Sequence, residues 1–340
     1  MQAFVNKIWY PDKDTHPVFK LFKYLLSPLS LLFFLVSLIR RYLFKSGLKQ
    51  SYSLAVPVII VGNITVGGSG KTPTVIFLID LLRKNGLKPG VISRGYGVKF
   101  EGVKRVGANM SAAEVGDEPA MIVARTGVPM VIGADRVKAA EVLIADTDVD
   151  VIISDDGLQH YRLERDIELL ILDGERRLGN GILLPAGPLR EGGWRAKSVD
   201  FILVNGQARD DEFQMELKPQ GIFPVSPSCK DTFEMTPVVA IAGIGNPQRF
   251  FNTLDEQGQA VIKTHSFEDH QKFTLDALLQ VAGEDPILMT EKDAVKCRDF
   301  AKDNWWYLTV DAKLPTKFES ELMDKVHGSM KKKEGRSNGV

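Results

Sequence analysis

Residues 56–73 read Val-Pro-Val-Ile-Ile-Val-Gly-Asn-Ile-Thr-Val-Gly-Gly-Ser-Gly-Lys-Thr-Pro, and this stretch decides the fold. The apolar, β-branched run at its start predicts a buried strand. A glycine-rich turn follows, and then an apolar segment typical of a helix that packs on a sheet. Strand, glycine loop and helix together predict a cradle in which backbone N–H groups and the helix dipole face a phosphate.

The loop ends in Lys71-Thr72, which supplies the chemistry of such a cradle. In a P-loop the lysine reaches the β- and γ-phosphates and the hydroxyl ligates Mg²⁺. The pattern G-x-x-x-x-G-K-[ST] asks for glycine at position 65, where this chain has Thr65. The alternative is a turn that only joins a strand to a helix. We predict a nucleotide-phosphate site formed by Gly67, Gly68, Ser69, Gly70, Lys71 and Thr72.

Length and composition limit the class of protein. The chain has 340 residues, which suits two domains better than one, and 44% of them are apolar. Basic and acidic residues number 43 each, so no overall field attracts nucleic acid, and no nucleic-acid partner is expected. Cys229 and Cys297 lie outside any C-x-x-C pattern, which indicates reduced thiols in a cytosolic protein.

The first 50 residues differ from the rest, with eight lysines or arginines against two aspartates. Ser27-Pro28 and the apolar residues up to Ile39 predict a helix with a serine cap and proline in its first turn. A helix of that length extends about 18 Å, short of the roughly 30 Å hydrocarbon core. Because cations and aromatic residues flank it, we expect a helix partly embedded in the cytosolic leaflet of a membrane.

Three other interpretations of this segment stay open. A signal peptide would need a cleavage site of the A-x-A type, which does not follow here. A single-pass anchor requires a helix that runs from Phe19 to Phe44. A buried core helix is the third, and the flanking cations argue against it.

Apolar runs alternate with helical patterns along the middle of the chain, which indicates an α/β fold with a doubly wound parallel sheet of the P-loop NTPase type. Ligands of such sheets lie beyond the carboxyl ends of the strands. The predicted strands are Val56–Val61, Pro89–Ser93, Val128–Ile132, Val149–Ser154, Glu168–Leu172 and Phe201–Val204, and the predicted helices are Thr74–Asn85, Pro119–Arg125 and Asp135–Asp146.

Composition also predicts the domain organisation. The chain turns polar from about Gly206 to Lys230, and a second alternating run begins at Pro237. We predict a membrane-associated helical segment over 1–50, a P-loop core domain over 51–210, a smaller C-terminal α/β domain over 211–315, and a helix or disordered tail over 316–340. Disorder is expected from Lys331 onward.

Two acids, Asp155 and Asp156, follow the strand predicted to end at Ser154. Successive strand residues point to opposite faces, so the two carboxylates are expected to have different roles. In P-loop proteins an acid at such a strand end holds Mg²⁺ or its water shell. We therefore predict a metal site built from Thr72, Asp155 and Asp156, with an acidic turn as the alternative.

Acids and histidines in two further loops suggest proton transfer. Asp117 opens a helix, where it is either the N-cap or a base that accepts a proton from an attacking hydroxyl. Asp269-His270 is interpreted as a unit in which one group orients the other in a catalytic cleft. A metal site using His265 and His270 is an alternative, but its spacing matches no common zinc pattern.

Two other loops carry candidate cleft residues. Gln159 and His160 follow the paired acids closely enough to line the same cleft. A proline-stiffened loop presents Arg190 and Glu191, and Arg195 follows it. Guanidinium groups there suit a substrate phosphate or the transferring phosphoryl group, and a structural surface turn is the alternative.

Together these motifs resemble one family, the tetraacyldisaccharide 4′-kinases, which are the lipid A kinases of Gram-negative bacteria. Thr65 resembles the family's own variant of the P-loop. The matching segments occur in order: Gly62-Asn63, Gly67-Gly-Ser-Gly-Lys-Thr-Pro73, Ser93-Arg-Gly-Tyr-Gly97, Gly116-Asp-Glu-Pro119, Ser154-Asp-Asp-Gly-Leu-Gln-His160, Leu184-Pro-Ala-Gly-Pro-Leu-Arg-Glu191, Phe267-Glu-Asp-His270 and Thr290-Glu-Lys-Asp293.

The resemblance implies that the γ-phosphoryl group of ATP is transferred, with Mg²⁺, to the 4′-hydroxyl of a tetraacyldisaccharide 1-phosphate, giving lipid IVA. It implies a location at the cytoplasmic face of the bacterial inner membrane, where such a lipid resides. The residue roles it implies are catalysis by Asp117, His270 and Lys71, ATP binding by Asn63 and the glycine loop, and contact with substrate by Gln159, His160, Arg190 and Glu191.

Two rival classes use a similar phosphate loop. A guanine-specific switch usually carries N-K-x-D, and Asn6-Lys7-Ile8-Trp9 lacks the aspartate. A membrane-positioning ATPase of the partition type binds protein partners. The acids and cations around Asp117, His270 and Arg190 favour instead a site built around an acceptor hydroxyl.

Overall fold

A computed structural model of the protein describes residues 2–11 and 16–337. The helices are α1 (Gln2–Trp9), α2 (Pro17–Lys45), α3 (Lys71–Lys84), α4 (Ala112–Val115), α5 (Asp117–Thr126), α6 (Arg136–Asp146), α7 (Pro247–Glu256), α8 (Leu275–Ala282), α9 (Glu291–Ala294) and α10 (Thr316–Ser337). The strands are β1 (Val58–Gly62), β2 (Pro89–Ser93), β3 (Val103–Arg105), β4 (Met130–Gly133), β5 (Val151–Asp155), β6 (Ile167–Asp173), β7 (Phe201–Asn205), β8 (Phe213–Pro224), β9 (Val238–Ala242), β10 (Val261–Ser266), β11 (Ile287–Thr290) and β12 (Trp305–Lys313).

The apolar run before the glycine loop forms β1, and every residue of that strand is buried. β1 lies between β5 and β6 and is parallel to both, with Val61 opposite Asp155 on one side and Leu169 on the other. This register places the paired acids beside the start of the glycine loop. Each strand and helix predicted between residues 56 and 204 is present, with ends within three residues of those predicted.

Apolar side chains cover both faces of this sheet, as the doubly wound prediction requires. One face packs against α3, α5 and α10, and the other against α6. The sheet is parallel around β1, and β3 is antiparallel to β4 at its edge. Burial of both faces explains why these strands appear in the sequence as continuous apolar runs.

β8 links the two halves of a single 12-stranded sheet ordered β10-β9-β11-β12-β8-β7-β6-β1-β5-β2-β4-β3. Its first residues pair parallel with β7, and the rest pair antiparallel with β12. We call β1–β7 the first half and β9–β12 the second half. Most β8 side chains are not buried, so the sequence appeared polar where a domain boundary was expected. The domain boundary predicted between residues 210 and 211 stays a prediction.

The last described element is α10, which returns to the first half. Phe318, Leu322 and Val326 are fully buried in the core beneath α3, and the Phe318 ring packs edge-on against Phe201. The expectation of disorder from Lys331 is wrong as far as Ser337, because the helix continues to that residue. Lys333 Nζ donates to Ser53 Oγ at 3.0 Å, which holds the end of α10 to the first half. Residues 338–340 lie outside the described part.

α2 is longer than predicted. It begins at Pro17, capped by His16 Nδ1, which accepts from Val18 N. The predicted cap at Ser27 is therefore wrong: that hydroxyl donates to the Lys23 carbonyl inside the helix. With 29 residues α2 extends about 43 Å, long and apolar enough to cross a membrane by length and composition alone. The length argument against a spanning helix no longer holds, and most of its apolar side chains are exposed.

Candidate active site

A cleft of about 1650 Å³ opens where the carboxyl ends of β1 and β5 face the second half of the sheet. Its wall includes the glycine loop, the paired acids and the loop that carries Arg190. From the second half come the loop after β9, His270 and Lys292. α2 contributes apolar and basic side chains, among them Phe33, Val36 and Arg40, so one cleft touches both the phosphate loop and the apolar helix.

Asn63 holds the glycine loop from within. Its fully buried side chain donates from Nδ2 to the Gly67 carbonyl at 3.2 Å. Gly70 then precedes α3 in the left-handed region at φ 98°, and a Cβ there would lie 2.9 Å from Met215 Cε. Only glycine fits this turn, which leads the chain directly into the N-terminus of α3. Thr65, at the unusual position of the motif, forms a bridge with Leu189.

The second half reaches the glycine loop through Gly245. A Cβ at that position would lie 2.4 Å from the Gly68 backbone nitrogen, so only glycine permits this approach. Arg176 Nη1 donates to the Gly245 carbonyl at 2.8 Å, and Arg249 on α7 lies 3.1 Å from Asp173. Arg176 and Arg249, which belong to none of the sequence motifs, therefore lie near the phosphate loop.

Asp155 is buried at the end of β5. Ser93 Oγ donates to its Oδ2 at 3.2 Å, and Oδ1 has no hydrogen-bond partner in the described part of the chain. Burial, reinforced by the charges of Glu118 and Asp156, raises the pKa of the Asp155 carboxyl. A bound cation would satisfy the orphaned oxygen and favour the ionised carboxylate, so this position fits Mg²⁺.

Asp156 lies one residue beyond the end of β5 and has a different environment. Its backbone lies in the left-handed region at φ 47°. Arg190 Nη1 donates to Oδ2 at 2.8 Å, and Lys71 Nζ lies 3.6 Å from Oδ1. Although burial opposes ionisation, the charges of Lys71 and Arg190 hold the pKa of Asp156 at about 2. Asp156 is thus an ionised partner for two cations at the phosphate end of the cleft.

Thr72 is also buried, and it lines the cleft together with both acids. Within the described residues no three His, Cys, Asp or Glu side chains form a cluster able to hold a metal. His265 and His270 are therefore not part of such a cluster in those residues.

We call residues 182–191 the arginine loop, and its two charged residues differ. Arg190 faces Asp156 in the cleft, whereas Glu191 is 5% exposed and accepts from Tyr161 Oη and from Gln159 Nε2. Gln159 also donates to the Asn63 carbonyl at 3.1 Å. Glu191 thus ties Gln159 to the arginine loop.

Arg195 does not reach the cleft. Its side chain is buried and pairs with Glu168 and Glu191. The expectation that its guanidinium suits a substrate phosphate is therefore wrong. The structure shows an internal ion-pair cluster behind the arginine loop.

His160 lines the cleft with a buried Nε2 that has no hydrogen-bond partner among the described residues. Burial, together with the nearby charges of Arg136 and Arg165, lowers the pKa of His160 to about 4. The imidazole is therefore neutral at physiological pH. It can offer a hydrogen bond to a ligand, but it adds no charge.

Asp117 is the first residue of α5, and Gly116 precedes it as the N-cap, so the capping alternative is wrong. Its Oδ2 lies 3.2 Å from His270 Nδ1 and 3.7 Å from Lys296 Nζ. Burial opposes ionisation, but the hydrogen bond from His270 and the charges of Lys296 and Lys292 lower the pKa of Asp117. Because an ionised carboxylate only accepts hydrogen bonds, His270 Nδ1 donates to Asp117 Oδ2.

Lys292 is the residue that motif reasoning left without a role. Its Nζ donates to Glu118 Oε1 at 3.2 Å and to Asp269 Oδ1 at 3.1 Å, and lies 3.5 Å from His270 Nε2. Burial opposes its charge, but Glu118 and Asp269 raise the pKa of Lys292. It therefore bridges α5 and the loop that carries His270. The sequence signal that could have identified Lys292 is its position in the family segment Thr290-Glu-Lys-Asp293.

The family model described as tetraacyldisaccharide-1-P 4′-kinase, LpxK, matches residues 22–327. A tetraacyldisaccharide 4′-kinase from Shewanella woodyi is 64% identical over 341 residues, which is 100% of both chains. Another, from Shewanella sp. strain ANA-3, is 58% identical over 342 residues, again 100% of both chains. The crystal structure of LpxK from Aquifex aeolicus in complex with ATP is similar at a TM-score of 0.77, with 29% identity over 91% of this chain and 99% of that one. This chain therefore belongs to the tetraacyldisaccharide-1-P 4′-kinase family.

Proposed function

We propose that this protein transfers the γ-phosphoryl group of ATP to the 4′-hydroxyl of a tetraacyldisaccharide 1-phosphate, giving lipid IVA. The observation that carries the proposal is a single cleft with three features. One end has a phosphate loop with Lys71 and the Asp156–Arg190 pair. The other end has His270, which is paired with Asp117 behind it, and the apolar helix α2 forms part of the wall.

ATP would bind with its phosphates on the loop formed by Gly67, Gly68, Ser69 and Gly70, at the positive end of the α3 dipole. Asn63 orders this loop through its bond to Gly67. In the absence of ligand the positive charge of Lys71 is balanced by the nearby carboxylate of Asp156. Lys71 would move to the β- and γ-phosphates when ATP binds.

Mg²⁺ would be held by Thr72 and Asp155, with Asp156 as the other candidate acid. Bound there, the ion would neutralise charge on the phosphates. The unsatisfied oxygen of Asp155 and the position of Thr72 on the cleft wall support this assignment. The strong pairing of Asp156 with Arg190 favours Asp155 as the direct ligand.

The acceptor hydroxyl must lose a proton as its oxygen bonds to phosphorus and the bond to the β-phosphate oxygen breaks. Asp117 would accept that proton as the base, because its lowered pKa keeps it ionised and ready. His270 pairs with Asp117 and lines the cleft, so it would orient the carboxylate and the incoming hydroxyl. Phosphoryl transfer depends mainly on such positioning and on charge neutralisation.

Arg190 would stabilise charge on the transferring phosphoryl group, since its guanidinium already lies beside an anion at the phosphate end. His160 and Gln159 line the cleft near it and are the proposed polar contacts to the substrate. Glu191 would act through Gln159, which it holds by a hydrogen bond at 3.2 Å.

We infer that α2 embeds in the cytosolic leaflet of the bacterial inner membrane, where a four-chain lipid resides. Its exposed leucines and flanking cations support this location. The 29-residue length also permits a helix that crosses the bilayer. In either arrangement the cleft opens beside the helix, so the acceptor can reach Asp117 without leaving the membrane entirely.

The experiment that tests the proposal measures ³²P transfer from [γ-³²P]ATP to 1-phospho-tetraacyl-disaccharide in detergent micelles. We expect labelled lipid from the unmodified protein and a loss of about 10³-fold in Lys71→Ala, because one preorganised charge is removed from the transferring group. Lys84→Ala, at the exposed far end of α3, is the matched control. ATP hydrolysis without labelled lipid would contradict the proposal and favour a partition-type ATPase.

A further inference from the structure

One polar side chain of α2 is buried where its neighbours are exposed. Among the residues of α2, all of which the structure describes, Ser30 is the one buried side chain, with 4% of its surface exposed. Leu29 and Leu31 on either side are 55% and 59% exposed. A helix that buries a serine and exposes its leucines reverses ordinary amphipathic packing, which indicates a specific polar contact.

Ser30 contacts the arginine loop through two hydrogen bonds. Its Oγ donates to the Leu183 carbonyl at 2.8 Å and accepts from the Ala186 N–H at 2.9 Å. Ala186 is fully buried, so its N–H is shielded from water. Leaving a buried N–H without an acceptor is costly, and the serine hydroxyl therefore holds the loop to the helix.

The loop carries this attachment to the phosphate end of the cleft. Leu184 N donates to the Leu189 carbonyl at 2.9 Å, which closes the loop on itself. At its far end Arg190 N donates to the Ile64 carbonyl at 2.7 Å, and Val66 N to the Pro188 carbonyl at 2.9 Å. One side of the loop is thus fixed to α2 and the other to the residues that lead into the glycine loop.

Other contacts from the N-terminal helices bear on the same loop and its surroundings. Trp9 Nε1, at the end of α1, donates to the Pro185 carbonyl at 2.9 Å. Asn180 Nδ2 donates to both the Ile8 and Ala186 carbonyls. Ser30 therefore belongs to a set of contacts that press α1 and α2 against the arginine loop.

We propose that Ser30 is a positioning residue for phosphoryl transfer, because it fixes the arginine loop to α2 and so sets where Arg190 lies relative to Asp156. The inference rests on the proposed function. It couples the placement of the apolar helix in a membrane to the geometry at the phosphate end. A displacement of about 1 Å at such a group can lower turnover about 10²-fold.

The test compares Ser30→Ala with Ser30→Thr and Ser27→Ala in the lipid phosphorylation assay. Ser30→Ala is expected to lower kcat about tenfold while affinity for a non-hydrolysable ATP analogue stays unchanged. Ser30→Thr keeps the hydroxyl and should recover most of the activity. Ser27 is the matched control, because among the described residues its hydroxyl bonds only to the Lys23 carbonyl of its own helix.

A double-mutant cycle separates a positioning role from a general loss of structure. If Ser30 acts through Arg190, adding Ser30→Ala to Arg190→Ala causes no further loss of kcat. Turnover is expressed per binding site for the ATP analogue, so unfolded protein does not lower the value. Additive losses in the double variant, or equal rates for Ser30→Ala and Ser27→Ala, would overturn the inference. An unmodified protein that labels no lipid would instead overturn the proposed function.

Discussion

The two ends of the cleft hold their carboxylates in different ways. At the phosphate end, Asp156 pairs with Lys71 and Arg190, all from the first half of the sheet. At the other end, Asp117 on α5 pairs with His270 and Lys296 from the second half. The ion pairs of the phosphate end therefore lie within one half, although Gly245 of the second half approaches the glycine loop, whereas the ion pairs of the acceptor end form only where the two halves meet.

This difference separates binding from chemistry. Changes at the acceptor end should leave the phosphate loop and its ion pairs intact, because none of those contacts involves the second half's lysines or histidine. Substitutions in the contact between the two halves should alter the pKa and the orientation of the Asp117 carboxylate even when Asp117 itself is retained.

The largest effect is expected for Asp117→Ala. Removing a general base lowers turnover by roughly 10²–10⁴, while affinity for an ATP analogue should stay unchanged because the phosphate end is untouched. Single-turnover lipid phosphorylation and analogue binding measure the two quantities separately. Asp80→Ala removes an exposed carboxylate from α3 and is the matched control. Near-unmodified turnover in Asp117→Ala would exclude its role as base.

A smaller effect is expected for Lys292→Met, which removes the bridge between Glu118 and Asp269. We expect kcat to fall about tenfold, as a misplaced His270 no longer orients Asp117. Loss of a nearby cation also raises the pKa of Asp117, and the base works only when ionised. The acid limb of the kcat profile should therefore move to higher pH.

The control for that variant is Lys302→Met, which breaks a surface ion pair with Glu284. Exposed pairs of this kind contribute little, so both turnover and its pH profile should match the unmodified protein. An unshifted acid limb in Lys292→Met, at any turnover, would show that Lys292 does not act on Asp117.

The phosphate end could be predicted from the sequence because its signals are local. Lys71 and Thr72 stand in one motif with the glycine loop, and Asp155 and Asp156 end an apolar strand. Parallel-sheet geometry alone brings these segments together. Asn63 required the family resemblance, and Arg190 was predicted only as a phosphate-binding cation without a partner, because the sequence alone assigns no partner to an isolated amide or arginine.

The acceptor end could not be assembled from local signals. Asp117 and His270 are 153 positions apart, and nothing in either segment specifies the other. Lys292 and Lys296 were missed because lysines in or just after a short helix ordinarily face solvent. The start of α2 was misplaced because Ser27-Pro28 imitates a helix cap, while an exposed apolar helix tolerates both residues in its interior.

The smallest effect concerns His160, a neutral group at the phosphate end. Its folded-state pKa of about 4 lies below the ordinary value of 6.5, so the unfolded chain binds more protons between those pH values. The contribution of His160 to the free energy of unfolding is therefore fully present above pH 6.5 and is lost as the pH falls through this window toward 4. Thermal unfolding of His160→Gln should depend less on pH. The fall in Tm from pH 7 to pH 5 should be smaller than in the unmodified protein by about 2–4 °C. His327→Gln, which removes an exposed imidazole from α10, is the control, and parallel curves for His160→Gln and the unmodified protein would contradict a neutral buried His160.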